Sequence, residues 1–283
     1  MRILSLNGGG MLGYMQLVLL EQIEYELGKS HEIFDLICGV STGSIIGAGL
    51  SIGIPAYELK AKYKELRNDV FGKKKWFLSS LFKPVYELEN LETCIKDVYG
   101  SHFINNTKTN FMTYAVNVSN TFLKTKFWRT WDDNIEIYKA VTASCSVPYY
   151  FNPYNIDGEW YVDGGLSDNN PSMVALTESL KDDIDITKIK LLNLWSTKGF
   201  GLKNPSKFYG LITVIRDLPY IFTNAGEDCT DFYVNRILGN NVVSIQPKVN
   251  LTIDNNKFDL MESHALSLWT EHKNKIIDLL TNS

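Results

Sequence analysis

The stretch that most constrains this chain runs from Glu32 to Leu50. An apolar segment, Ile33–Val40, leads into Gly39-Val40-Ser41-Thr42-Gly43, and a small-residue run, Ser44–Leu50, follows. A strand that bends sharply into a helix crowds the backbone on both sides of the residue at the bend. Both flanking positions therefore favour glycine, and the serine hydroxyl stands at the helix N-terminus. A Gly-x-Ser-x-Gly string alone is weak evidence, because both residues are common. Here the strand before it and the helix after it supply the context, and Ser41 is the candidate acyl-transfer nucleophile, with Gly39 and Gly43 supporting the turn.

With 283 residues, 45% of them hydrophobic and 21% charged, the chain has the material for a full core. No internal repeat, low-complexity tract or Pro/Ser-rich linker divides it, so a single domain over 1–283 is expected, its motif-bearing core at about 1–181 and the remainder in the same domain. A net charge of −4 argues against non-specific nucleic-acid binding, which needs a strongly basic surface. The first residues enter a strand at once, with neither a signal-peptide core nor a cleavage site. Cys38, Cys94, Cys145 and Cys229 show no C-x-x-C spacing for zinc or redox chemistry. Together these features favour a cytoplasmic protein. The segment Leu36–Tyr57 carries no charge and is about long enough to cross a bilayer. Its glycines and Pro55 are better explained by a strand, an elbow and a buried helix.

Strand-length apolar runs fall at Ile3–Leu6, Ile33–Val40, Phe111–Val118, Phe122–Trp128, Trp160–Val162, Leu191–Trp195 and Val242–Ile245. Helical patterns lie at Gly13–Leu27, Ser44–Leu50, Ala56–Asn68, Leu88–Tyr99, Ile135–Ala143, Ser172–Leu180 and Glu262–Leu280. This alternation predicts an α/β layered fold with a mostly parallel sheet. Only Ser119-Asn120-Thr121 joins two of the strands, which demands an antiparallel hairpin and makes the sheet mixed.

Two more motifs bear chemistry. The first strand ends in Asn7-Gly8-Gly9-Gly10-Met11-Leu12-Gly13. Consecutive glycines let backbone amides face one point, either a phosphate, since Gly8-x-Gly10-x-x-Gly13 matches a dinucleotide fingerprint, or the oxyanion of a tetrahedral intermediate. A dinucleotide site wants an acidic residue at the tip of the second strand, and here that tip holds the serine instead. The other motif is Trp160-Tyr161-Val162-Asp163-Gly164-Gly165, an apolar strand delivering an aspartate into a glycine turn. A serine nucleophile needs a base in hydrogen-bond reach. His31, His102, His264 and His272 all lie outside the glycine-bounded loops where a triad histidine sits, so a Ser41–Asp163 dyad fits better than a triad.

These motifs, in their order and spacing, resemble the patatin-like phospholipases. The linking text agrees: Ile33-Phe34-Asp35-Leu36-Ile37-Cys38-Gly39 before the elbow, Ala143–Phe151 before the aspartate and Asn169-Asn170-Pro171 after it. The resemblance covers roughly 1–181 well. It implies a patatin-type three-layer α/β sandwich with a mixed, mostly parallel central sheet, Ser41 as nucleophile, Asp163 as base, and an oxyanion hole from the amides of Gly8, Gly9 and Gly10. Gly13, Gly39, Gly43, Gly164 and Gly165 would support the turns. No metal or organic cofactor is implied, and the substrate would be a membrane or micellar glycerolipid acyl ester. Two departures stand out: Asn7 and Leu12 occupy places where the family usually has aspartate and arginine. The lost arginine leaves neutral glycerolipids and other acyl esters open.

Residues Lys73, Lys74, Lys75, Trp76, Phe77 and Phe82 interleave cations with aromatic rings, a composition suited to a membrane interface or to an internal strap. The expected activity is thus a phospholipase A or lysophospholipase-type acyl hydrolase with peripheral membrane contact. The alternatives are a non-phospholipid esterase, including one completed by His264, an acyltransferase using the same dyad, or a nucleotide-binding regulatory protein using the Gly8–Gly13 loop.

Overall fold

The computed structural model describes residues 1–71, 84–182, 184–196, 211–249, 251 and 254–282, with the backbone alone at 182 and 211–224. Lys73, Lys74, Lys75, Trp76, Phe77 and Phe82, the expected membrane segment, lie outside the described residues.

A parallel run of strands forms the body of the sheet: β1 (Arg2–Leu6) lies between β2 (Leu36–Gly39) and β7 (Lys190–Leu194), β8 (Val242–Ile245) flanks β7, and β3 (Asn110–Asn117) flanks β2. Three antiparallel strands complete it: β4 (Lys124–Arg129), β5 (Tyr154–Ile156) and β6 (Glu159–Asp163). The mixed α/β sheet expected from the sequence is what forms. Strand residues alternate between two cores. Leu4 and Leu6 of β1 face one, with α1 (Tyr14–Leu27), α4 (Ala56–Phe71), α5 (Leu88–Tyr99), α6 (Ile137–Ser144) and α9 (Phe258–Thr281). Ile3 faces the other, with α7 (Ser172–Ser179) and α8 (Leu211–Leu238). Helices therefore cover both faces, as a largely parallel sheet requires.

One detail of register positions the site. Met112 of β3 pairs with Cys38 of β2 on one side and Arg129 of β4 on the other, while Ala115 pairs with Asp163 of β6 and Lys126 of β4. Since β4 fills one edge of β3 throughout, β2 and β6 share the opposite edge and run toward each other along it. Their C-terminal ends meet there.

Two sequence expectations need correction, and two further elements carry no readable sequence signal. The strand expected over Ile33–Val40 starts only at Leu36, because Ser30–Ile33 forms a helical turn, α2, whose first residue donates its N–H (3.0 Å) and hydroxyl (2.7 Å) to Glu24 Oε1. The β3–β4 connection is longer than Ser119–Thr121, leaving Phe122 and Leu123 outside the strand and exposed. Strand β5 has only three residues, too short to show an alternating pattern. Helix α8 escapes a periodicity reading because Pro219 interrupts it, and proline in a helix interior ordinarily reads as a break. The uncharged Leu36–Tyr57 segment is β2, an elbow and α3 (Thr42–Ile52), mostly buried in the core. Among the described residues no helix is long and apolar enough to cross a membrane.

Candidate active site

Ser41 follows β2 as the residue before α3 and has φ 53° and ψ −126°. A non-glycine residue at positive φ is strained, and such strain persists where the surroundings over-determine it. Here they do. A side chain at Gly39 would run into the Gly43 carbonyl and one at Gly43 into the Leu6 carbonyl, so both glycines let the turn close against β1. The Ser41 N–H donates to Ser144 Oγ at 3.0 Å, and that hydroxyl also receives Thr113 Oγ1 at 3.1 Å. Ser44 Oγ donates back to the Ser41 carbonyl at 2.5 Å. Ser41 thus stands at the N-terminus of α3, where the helix dipole favours developing negative charge.

Asp163 ends β6 and is 4% exposed. The Gly165 N–H donates to its Oδ1 at 2.6 Å, while Oδ2 is buried and, among the described residues, meets no donor in good alignment. Burial pushes this carboxyl up to about 7; the nearby Ser41 hydroxyl and the Gly165 amide pull in the other direction. The hydroxyl is therefore close enough to favour the carboxylate without being aligned as a full hydrogen bond in the resting chain, a looseness common in unliganded sites. Gly164 fits against the Tyr114 carbonyl and Val40, where β6 meets β2.

The glycine loop reaches the same point. A Cβ on Gly8 would lie 2.9 Å from Ser41 Cβ, so the loop backbone runs directly beside the serine. Gly9 and Gly10 have φ 152° and 58°, conformations that favour glycine, and among the described residues their N–H groups donate to no protein acceptor. Gly8 is different. Its N–H donates to the Asn169 carbonyl at 3.3 Å, so of the three expected oxyanion donors it is the one already engaged. Gly13 packs on the Thr42 side chain.

Several residues around this site carried no role in the sequence reading. Tyr63 of α4 donates to the Gly10 carbonyl at 2.6 Å and shares a short hydrogen bond with Thr42, tying the loop to the elbow. Gln16 Nε2 holds the carbonyls of Asn7 (3.0 Å) and Leu194 (2.7 Å). Ser196 Oγ donates to the Gly8 carbonyl, and Asn169 Nδ2 approaches it at 3.4 Å while also donating to Glu227 of α8. Burial pushes the Glu227 carboxyl up to about 8, opposed by Asn169 and Asn7. Asn169 was visible as part of Asn169-Asn170-Pro171, but nothing in the sequence tied it to Gly8.

Among the described residues no histidine hydrogen-bonds Ser41 or Asp163. His102 faces the Tyr99 carbonyl at 2.6 Å, His31 and His272 lie beside Glu32 and Glu271, and His264 Nε2 is buried and meets no partner among the described residues.

This geometry can be compared with known proteins. A sequence model of one family, described as patatin-like phospholipase, matches residues 4–176, more than half of the chain. The chain is 33% identical to a cGAMP-activated phospholipase of Escherichia coli over 220 residues, covering 68% of this chain and 61% of that protein. It is 31% identical to human calcium-independent phospholipase A2-gamma over 203 residues, covering 62% of this chain and 26% of that protein. The chain thus spans less than two thirds of the length of these relatives. Among solved structures, VipD from Legionella pneumophila superimposes with a TM-score of 0.53 at 14% identity, over 99% of this chain and 67% of that one, a likeness of fold.

Proposed function

The chain belongs to the patatin-like phospholipase family, and from that premise we propose that it is a lipid acyl hydrolase cleaving glycerolipid fatty-acyl esters through Ser41 and Asp163. The observation that carries this reading is the end-to-end meeting of β2 and β6 on one edge of β3. It brings a strained serine and a buried carboxyl together, and the glycine loop after β1 lies against the same serine.

In the proposed reaction the Asp163 carboxylate takes the Ser41 proton as Oγ attacks the ester carbonyl. The amides of Gly9 and Gly10 hold the oxyanion, and the α3 N-terminus adds its partial positive charge. The alcohol or lysolipid leaves with a proton returned by Asp163. Water, activated by the same carboxylate, then hydrolyses the acyl-enzyme and frees the fatty acid. No step calls on a metal or an organic cofactor.

The test is to treat the purified chain with an alkyl fluorophosphonate and locate the adduct by mass spectrometry. Labelling at Ser41 that is lost in Ser41→Ala and collapses in Asp163→Asn is the expected result. Labelling elsewhere, or labelling indifferent to Asp163, overturns the dyad. Product analysis with an added alcohol acceptor separates hydrolase from acyltransferase.

A lipid substrate implies peripheral contact with its surface, and two places support it. One is the cationic-aromatic run that includes Lys73 and Trp76. The other is the β3–β4 loop, which follows Asn117 at the end of β3 that runs on past the elbow. It presents Phe122 (78% exposed) and Leu123 (69%), and Trp160 (49%) is hydrogen-bonded to its base through Ser119 Oγ at 2.6 Å. Replacing Phe122 and Leu123 with serine should lower sedimentation with phosphatidylcholine vesicles several-fold while sparing hydrolysis of a soluble ester. Equal vesicle binding would remove this loop from the reading.

A further inference from the structure

Behind the glycine loop lies a polar seam that the proposed reaction does not use. Asn169 grips Gly8 at both backbone groups: its carbonyl accepts the Gly8 N–H at 3.3 Å, and its Nδ2 approaches the Gly8 carbonyl at 3.4 Å. Its side-chain oxygen fills the space where a Cβ on Gly8 or Gly165 would sit, so the amide is wedged between the oxyanion loop and the Asp163 turn. Nδ2 also donates to Oε1 of Glu227, which is 2% exposed. Helix α8 is fixed in place around this contact: the Glu227 carbonyl accepts Asn170 Nδ2 at 3.2 Å, and Thr230 Oγ1 donates to Asp168 Oδ2 at 2.6 Å. Among the described residues no lysine or arginine pairs with Glu227 or Asp168. Asn7, at the start of the loop, is also fully buried near the same carboxyl, its side-chain atoms lacking a well-aligned partner.

A buried carboxyl with no cation costs stability, and an apolar side chain of similar volume would fill the space at lower cost. What it supplies is an acceptor. An asparagine amide can be turned either way round, and an oxygen facing it on one side selects the orientation that directs Nδ2 there. That orientation also points Nδ2 at the Gly8 carbonyl. Because the Gly8–Gly9 peptide is planar and trans, holding the carbonyl toward Asn169 and Ser196 sends the Gly9 N–H the opposite way. We propose that Glu227 is a positioning residue for the oxyanion loop, orienting Asn169 so that it holds the Gly8 carbonyl and thereby aims the Gly9 amide. The inference rests on the reading of this loop as the oxyanion hole.

Burial favours the protonated form of this carboxyl, and in that form Oε1 still accepts from Asn169 when the proton is on Oε2. Glutamine is then close to an isostere, keeping an accepting oxygen on the Asn169 side. The experiment compares wild type, Glu227→Gln, Glu227→Ala, Asn169→Ala and the Glu227→Ala/Asn169→Ala double variant on a soluble p-nitrophenyl ester. Misaiming one donor should lower kcat by about 10- to 100-fold in Glu227→Ala with KM within about twofold. Glu227→Gln should restore most of that loss. Because Glu227 acts through Asn169, the double variant should be no slower than Asn169→Ala alone. A Glu227→Ala enzyme with wild-type kcat, or losses that multiply in the double variant, overturns the relay. A second measurement is independent of activity: in isotope-labelled glycine samples, the Gly9 amide resonance should shift in Glu227→Ala, and an unchanged resonance rejects the clamp. A resonance that responds in a chain whose wild type never labels with fluorophosphonate would reject the catalytic reading of the loop while leaving the clamp standing.

Discussion

Asp163 must act as a base from a position where burial opposes its charge and, among the described residues, one aligned donor, the Gly165 amide, supports it. Its activity should therefore rise with pH: kcat/KM should show an acid limb with its midpoint at about 7, the region to which the carboxyl is pushed. Asp163→Asn should lower kcat by about a thousandfold, and a limb that survives in that variant would assign it to another group. The same shift has a stability consequence of definite sign. The folded-state value lies above the unfolded one, so the folded chain holds a proton that the unfolded chain has lost, and stability falls as pH rises toward 7. Asp163→Asn should then be more stable than wild type above about pH 7, with the gain fading toward about pH 4. Thermal melts across that range check it. Ser41 pays a similar local penalty through its positive φ. Ser41→Gly should be more stable than Ser41→Ala by about 1 kcal/mol, because glycine accepts this backbone without strain.

The elbow is a strand and a helix joined so closely that only glycine fits on either side of the serine. Gly43→Ala would drive a methyl into the Leu6 carbonyl of β1, and neither backbone can yield without separating β1 from α3. A loss of about 2 to 4 kcal/mol in urea unfolding is expected, together with loss of Ser41 labelling. Much of this was legible from Gly39-Val40-Ser41-Thr42-Gly43, because the constraint is steric and spans a few residues. The elements missed were those whose local signal is weak or misleading. Strand β5 is short, α2 depends on a cap from Glu24 in the preceding helix, and α8 carries a proline. Beside the packing of Val234 and Leu238, α8 is docked by hydrogen bonds to Asn169, Asn170 and Asp168, which leave no periodic trace in the sequence.

Across the whole molecule, helix α1 is the keel of the larger core. It is buried from Tyr14 to Leu20 between the sheet, α4 and α9. The late helix α9, which held no readable motif, closes that core with Met261, Ala265, Trp269, Ile276, Leu279 and Leu280, and ties to α1 through Tyr14–Glu262 and Lys273–Glu26. Trp269→Ala should cost about 3 to 5 kcal/mol in denaturant unfolding, a penalty out of proportion to its distance from the active site. A variant with unchanged stability would mean that α9 is dispensable to the core. The sequence alone determined the features that short-range sterics and patterning encode: an α/β chain, a serine forced into a strained turn, a glycine loop and an aspartate at a strand end. Only the tertiary structure decided that β2 and β6 meet on β3, that Gly8 is clamped while the Gly9 and Gly10 amides meet no acceptor among the described residues, and that Glu227 lies behind them. The reason is that strand register and helix docking join residues far apart in the chain, and the contacts that set them exist only once the whole core has closed.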